Sequence, residues 1–314
     1  MTDSCGNDQP LTTADSVLGI WRLPLWSSHY LSFSADKKYF TTSISDRKQN
    51  SHYGVTVVDA VTQQIILFFP YYHYAVWSPD GKYLMVFSSR DGIPTLVNME
   101  TMAQSKFTSM SSFSKISWDE KGKYVYLSRE GYDRDKPFPY NKWGLFRARP
   151  DGSELEYLTD SLWDAKVLDS ENLISFFPRG GYFGFNILRY HLPTRTITKD
   201  TVYGYEGNTV DVSNVDLSPD RTKLVFDRVP YIWEATEERN QYGGVWILDL
   251  KTKQSRQVLP EQFSKHPYYP RWYSNTELLC SFYCRKDSAI TTWLVDLNGK
   301  VLRQITNKNM KLIP

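Results

Sequence analysis

The chain has 314 residues, with 37 Lys and Arg against 35 Asp and Glu, a formal net charge of +2 with the signs intermixed. That balance excludes a protein that captures polyanions by bulk charge, so no nucleic-acid partner is expected. No apolar run approaches the roughly 18 residues of a membrane-spanning helix, so the chain is not expected to cross a membrane, and 22 Tyr with 10 Trp suit strands.

Residues 1–16 are polar and read as a flexible leader without a signal peptide. Ser4-Cys5-Gly6 matches the start of a mature bacterial lipoprotein, and Cys5 would be a lipid anchor if a signal sequence preceded it; otherwise it is an ordinary surface cysteine. The other cysteines, Cys280 and Cys284, lie four apart in one expected strand. Strand rise separates them by about 13 Å, too far for a disulfide. Residues 17–26 (VLGIWRLPLW) are apolar and need cover.

From residue 28 onward the chain repeats itself. The first unit predicts strands near 28–33, 38–45, 53–59 and 62–68. The second is the clearest, with WSPDGKY from Trp77, LMVFSSRDG to Gly92 and IPTLVNMET to Thr101. Anchors recur at Phe33, Trp77, Trp118, Leu168, Leu217 and Trp272, at intervals of 44, 41, 50, 49 and 55 residues. A β-rich run follows each one, then an Arg (Arg47, Arg90, Arg129, Arg179, Arg228, Arg285), then a polar turn. A unit of about 40–50 residues carrying four strands is a propeller blade. The expected fold is all-β: residues 17–314 form a single six-bladed β-propeller with four antiparallel strands per blade. One blade cannot bury both faces alone, whereas six in a ring cover all of them. Trp77, Trp118 and Trp272 are expected between blades, and residues 17–26 near the seam of blades six and one.

The WSPDGK and SRDG pattern resembles the repeat of TolB-like propellers, a type shared by the propeller domains of prolyl-oligopeptidase relatives. It spans roughly residues 28–306, strongest in blade two. The resemblance implies a bacterial periplasmic or envelope-associated binding protein. The oligopeptidase relatives owe their activity to an α/β-hydrolase domain, and none is expected in the stretch after blade six. G-x-S-x-G, H-E-x-x-H, P-loop and G-x-G-x-x-G signatures are absent as well. No catalytic residue and no cofactor are therefore expected.

In a propeller, first-to-second and third-to-fourth turns share one rim, here short. The other rim carries long loops at residues 46–53, 130–143, 178–185 and 229–242. Tyr132, Phe138, Tyr140, Tyr231 and Trp233 are residue types that anchor partners, with Arg134 and Arg239 as polar rim. The expectation is a monomer that binds a protein or glycan through this rim. The simpler alternative is that these aromatics fold back over the blade edges. A second class of function rests on His29, His73 and His266, which stand at blade entries in neighbouring blades. Converging imidazoles would bind a metal at the channel mouth, as in propeller lyases of pectin fragments, giving a carbohydrate lyase or hydrolase. Ordinary structural histidines are the plainer reading. The six arginines read as repeated intrablade contacts to backbone rather than an anion-binding ring.

Overall fold

Each repeat unit closes into one antiparallel sheet whose strands follow chain order. The computed structural model describes residues 31–45, 53–62, 64–88, 90, 92–107, 111–131, 135, 137–139, 141–178, 185–202, 210–230, 243–260, 265–284, 289–305 and 311–312. The leader, Cys5, His29 and the 17–26 segment lie outside them. Blade one comprises β1 (Ser32–Phe33), β2 (Tyr39–Ser45), β3 (Tyr53–Asp59) and β4 (Gln64–Pro70). Blade two comprises β5 (Tyr72–Trp77), β6 (Tyr83–Ser88), β7 (Pro94–Asn98) and β8 (Gln104–Lys106). Blade three holds β9 (Phe113–Trp118), β10 (Val125–Arg129), β11 (Gly144–Ala148) and β12 (Glu156–Thr159). Blade four holds β13 (Lys166–Val167), β14 (Asn172–Pro178), β15 (Phe185–His191) and β16 (Thr196–Val202). Blade five contains β17 (Val210–Leu217), β18 (Lys223–Pro230), β19 (Gly244–Asp249) and β20 (Ser255–Leu259). Blade six contains β21 (Lys265–Trp272), β22 (Glu277–Cys284), β23 (Ala289–Asp296) and β24 (Val301–Gln304). The fold is a six-bladed β-propeller, and no α-helix occurs among the described residues.

The core is divided among the blade interfaces. Successive strand residues point to opposite faces, so Leu84 and Val86 of β6 pack toward blade one while Met85 and Phe87 pack toward blade three. Likewise Leu224 and Phe226 of β18 face blade four, and Val225 faces blade six. The ring closes where Leu31, Phe40, Val58 and Ile65 of blade one meet Leu279 and Leu294 of blade six. Sheets covered on both faces read as continuous apolar runs, which is why YLMVF and VYL lack alternation.

The repeat motif is a turn that satisfies itself. In blades one, two and five the Ser34, Ser78 and Ser218 hydroxyls donate to Asp36, Asp80 and Asp220 at 2.6 Å. The same hydroxyls accept from the backbone N–H of Tyr39, Tyr83 and Lys223. The chain reverses through a left-handed residue, Lys37 (φ 61°), Gly81 (φ 73°) or Arg221 (φ 59°). Asp59, Asn98, Asp249 and Asp296 fasten the third-to-fourth turns by accepting from N–H groups two to four residues on.

Two of the three anchor tryptophans are buried, Trp77 between blades one and two and Trp118 between blades two and three. Trp272 also lies between blades, packed against the core shared by blades five and six, but is less completely buried than the other two. Trp77 Nε1 donates to Ser32 O at 3.2 Å and Trp272 Nε1 to Asp216 O at 3.3 Å, each reaching the inner strand of the preceding blade. Trp118 Nε1 has no hydrogen-bond partner among the described residues. A short strand β25 (Lys311–Leu312) runs parallel to β4, pairing Lys311 with Gln64 and Leu312 with Ile65. The sequence reading did not anticipate it, since two residues carry no periodicity and tertiary contact alone selects the pairing. Cys280 is a free thiol buried in β22, the strand that also carries Cys284, as the spacing required.

Candidate functional site

The two rims differ in how they are finished. At the short-turn rim the turns lock onto one another. Arg221 of blade five donates to Glu120 of blade three and to Leu168 O of blade four at 3.3 Å. Asp220 N donates to Asn275 Oδ1 of blade six at 3.0 Å, and Lys37 of blade one donates to Tyr273 O of blade six. Gly81 packs on Ala35 and Gly122 faces Pro79, each against the preceding blade.

The opposite rim is described best in blade three, where the 130–143 loop joins β10 to β11. Arg129, buried at the end of β10, donates from Nε to Ser111 O at 2.9 Å and from Nη1 to Lys142 O at 2.7 Å. One guanidinium thus ties the blade entry to the returning arm of the loop. Above this base, Phe138 is 62% exposed and Trp143 is 47% exposed. Phe138 meets Tyr157 of the outer strand β12 edge-on at 6.1 Å, and Tyr157 meets Phe146 at 5.4 Å. Phe138 thus folds back on the blade edge yet leaves most of its surface in water. Of the other candidates, Tyr132, Arg134, Tyr140, Tyr231, Trp233 and Arg239 lie outside the described residues. Trp143 belongs beside Phe138, and its place at the end of the same loop was the signal for it.

Inside the ring the inner strands, and the residue two positions before β13, carry ionisable groups that sequence reasoning missed. Lys115, Asp164, Lys166, Asp216 and Arg271 come from blades three to six, with Tyr74 from blade two. Charges on different blades act on one another here, Arg271 on Asp164 and Asp216 on Lys166, as expected of groups that converge on the axis. Lys166 Nζ donates to Asp164 Oδ1 at 3.1 Å, with the side chains 17% and 32% exposed. Burial alone would raise the Asp164 carboxyl, but the attraction of Lys166, Lys115 and Arg271 outweighs it and holds it below the ordinary range. Burial would likewise lower Lys166, and the attraction of Asp164 with Tyr74 and Asp216 instead carries it above the ordinary lysine value. Asp216 Oδ2 accepts from Trp272 N at 3.0 Å, Arg271 Nη1 donates to Asn214 O at 3.1 Å, and Asn214 Nδ2 donates to buried Asp227 at 2.8 Å. The channel wall is thus polar and internally paired. The available signal was an ionisable residue one to four positions before an anchor in blades three to six.

Of the candidate histidines, His73 and His266 are each the second residue of their blade's innermost strand, at its loop-side end. Nothing more of their side chains is described. Among the described residues no three His, Cys, Asp or Glu side chains gather as a metal cage. The described arginines of the repeat act within their own blades: Arg129 on backbone, Arg228 over the Trp246 ring at 4.4 Å and Arg90 over the Tyr71 ring at 3.6 Å. Arg47, Arg179 and Arg285 lie outside the described residues.

A ring of this kind defines a class, the six-bladed propeller in which the four antiparallel strands of each blade follow one another in the chain. Within it the fold is similar to that of TolB-like propellers. It resembles TolB from Acinetobacter baumannii (TM-score 0.62, 15% identity), covering 88% of this chain and 66% of that one. It also resembles a putative TolB from Agrobacterium tumefaciens (TM-score 0.57, 14% identity; 83% and 94% covered). An oligogalacturonate lyase in complex with manganese matches as well (TM-score 0.56, 11% identity; 90% and 80% covered). At these identities the likeness is one of fold. No family model and no curated protein matches the chain. No described helix is long and apolar enough to cross a membrane.

Proposed function

We propose that the chain is a non-enzymatic binding protein of the bacterial envelope, with residues 17–314 as one monomeric propeller that engages a protein or glycan through its loop-rich rim. The observation that carries this reading is the pairing of exposed Phe138 and Trp143 with a loop base held by buried Arg129. An aromatic surface in water gains most from being covered by a partner, and a tethered loop loses less ordering entropy on binding. The short-turn rim supports the choice from the other side, since its turns already satisfy their own polar groups. The envelope assignment comes from the likeness to TolB, and lipidation of Cys5, where a signal sequence precedes it, rests on Ser4-Cys5-Gly6.

The test is affinity capture from a bacterial envelope extract with wild type and with Tyr132, Phe138, Tyr140 and Trp143 all changed to Ala. The variant should fold normally and lose the captured partner. Retained capture, combined with loss after changes in the 78–81 turn, would assign binding to the other face. The carbohydrate-lyase alternative has in its favour the strand-end positions of His73 and His266 and the likeness in fold to an oligogalacturonate lyase in complex with manganese. The channel carboxylates fit a metal poorly, since Asp164 is engaged by Lys166 and Asp216 by Trp272 N.

A further inference from the structure

Away from both the channel and the loop rim, the seam between blades six and one encloses a pocket of about 240 Å³. Its walls are Phe33, Ala60 and Val61 of blade one and Tyr273 and Ile305 of blade six, and its polar groups are Lys37, Arg303 and Gln304. Phe33 and Tyr273 stand edge-to-face at 5.1 Å and form an aromatic corner. The Lys37 ammonium lies 3.7 Å from the Tyr273 ring centre and 5.8 Å from that of Phe33. It donates to Tyr273 O, and an ammonium has three donors. Arg303 lies exposed on the outer strand β24, and no bond or ion pair engages it among the described residues. Two cations thus line the pocket with no carboxylate among its lining residues. Glu277 is the acid that acts on Lys37, through space, and its own Oε2 accepts from Ser274.

We infer that this seam pocket binds a small carboxylate with an apolar body, its anionic head between Lys37 and Arg303 and its body against Phe33, Tyr273 and Ile305. The position of Lys37 makes the site peculiar to this seam. The left-handed residue of the same turn is Gly81 in blade two and Gly122 in blade three, and neither has a side chain to offer. In blade five it is Arg221, already committed to Glu120. Only blade one presents a flexible cation whose ion-pair capacity is not taken up by direct contact. The volume lies below the roughly 300–1,000 Å³ of sites for drug-sized ligands, which suits a single-ring acid or the acidic end of a larger molecule. Burial pushes Lys37 below the ordinary lysine range, with Glu277 opposing; a bound anion would reverse that shift.

The experiment is titration calorimetry on the full chain with phenylacetate and benzoate, against the neutral amides phenylacetamide and benzamide. The carboxylates should bind with one-to-one stoichiometry and about tenfold or more tighter than the amides, the scale of one charge-assisted hydrogen bond. Arg303→Gln and Val61→Asp alter exposed positions and should leave the melting temperature unchanged. Each should weaken phenylacetate about tenfold or more and weaken the amides by less. Absence of carboxylate binding, equal affinity for acid and amide, or full affinity in both variants would each overturn the inference.

Discussion

Lys166 Nζ reaches back two residues to Asp164 Oδ1 at 3.1 Å, closing an ion pair inside the propeller channel. The Asp164 carboxyl is held below its ordinary value. Its contribution is therefore complete above the unfolded carboxylate pKa of about 4 and fades as pH falls through the folded value. Lys166 is raised, so its contribution is complete below the unfolded lysine value of about 10.4 and fades only as pH rises through the higher folded value. Asp164→Asn should cost on the order of 1–3 kcal/mol near neutrality. Urea titrations should show that deficit unchanged from about pH 5 to 9 and shrinking below about pH 4. A deficit as large at pH 3 as at pH 7 would mean that the pair does not act through charge.

Two glycines with similar backbone angles should respond differently to alanine. Gly122 (φ 67°) has only Pro79 Cδ near a built Cβ, at 3.9 Å. Its replacement should cost the conformational penalty alone, about 1–2 kcal/mol. Gly152 (φ 83°) turns β11 into β12 against blade two, where a Cβ would lie 1.6 Å from Phe107 O. Gly152→Ala must displace backbone and should lower the thermal midpoint well beyond Gly122→Ala. Equal midpoints would contradict the packing of that turn.

The anchor tryptophans should rank by burial. Trp77→Ala should destabilise by about 3–5 kcal/mol. Trp272→Ala should cost less, since that ring is less completely buried. Chemical denaturation of the two variants checks the order, and the reverse order would displace Trp77 from the core of blades one and two.

These anchors also show how much the sequence disclosed. Blade count and strand order were legible because the Ser-x-Asp turns and the runs after them are local: one short stretch supplies hydroxyl, carboxylate and left-handed residue together. Which turns share a rim was legible for the same reason, since it follows from strand order. What escaped was what several blades make jointly. Asp164 and Lys166 are near neighbours in sequence, but Lys115, Asp216 and Arg271 lie far from them and join the network only on the axis. Lys37 reads as one more turn lysine until the ring closes and brings Tyr273 to it. The partial exposure of Trp272 and the pairing of β25 with β4 have the same origin.

Arg129 provides a test of how the blade-three loop is held. Arg129→Ala would leave Ser111 O and Lys142 O without their donor, at a cost on the order of 2–3 kcal/mol. It should also speed proteolytic cleavage within residues 130–143. Phe138→Ala, by contrast, should stay within about 0.5 kcal/mol of wild type. Arg129→Lys should restore only part of the protection, because an ammonium lacks the planar fork that reaches both carbonyls. Wild-type cleavage rates in Arg129→Ala would show that the loop is held by other contacts.

Odd and even positions of β6 serve different neighbours, as do those of β18. A one-residue insertion in such a strand would swap both allegiances at once, so the fault would spread to the blades on either side. The same insertion in the 130–143 loop would disturb neither face. The ring therefore decides where the chain can grow: length can accumulate on one side of the disc, and the blades themselves tolerate substitution but not indels.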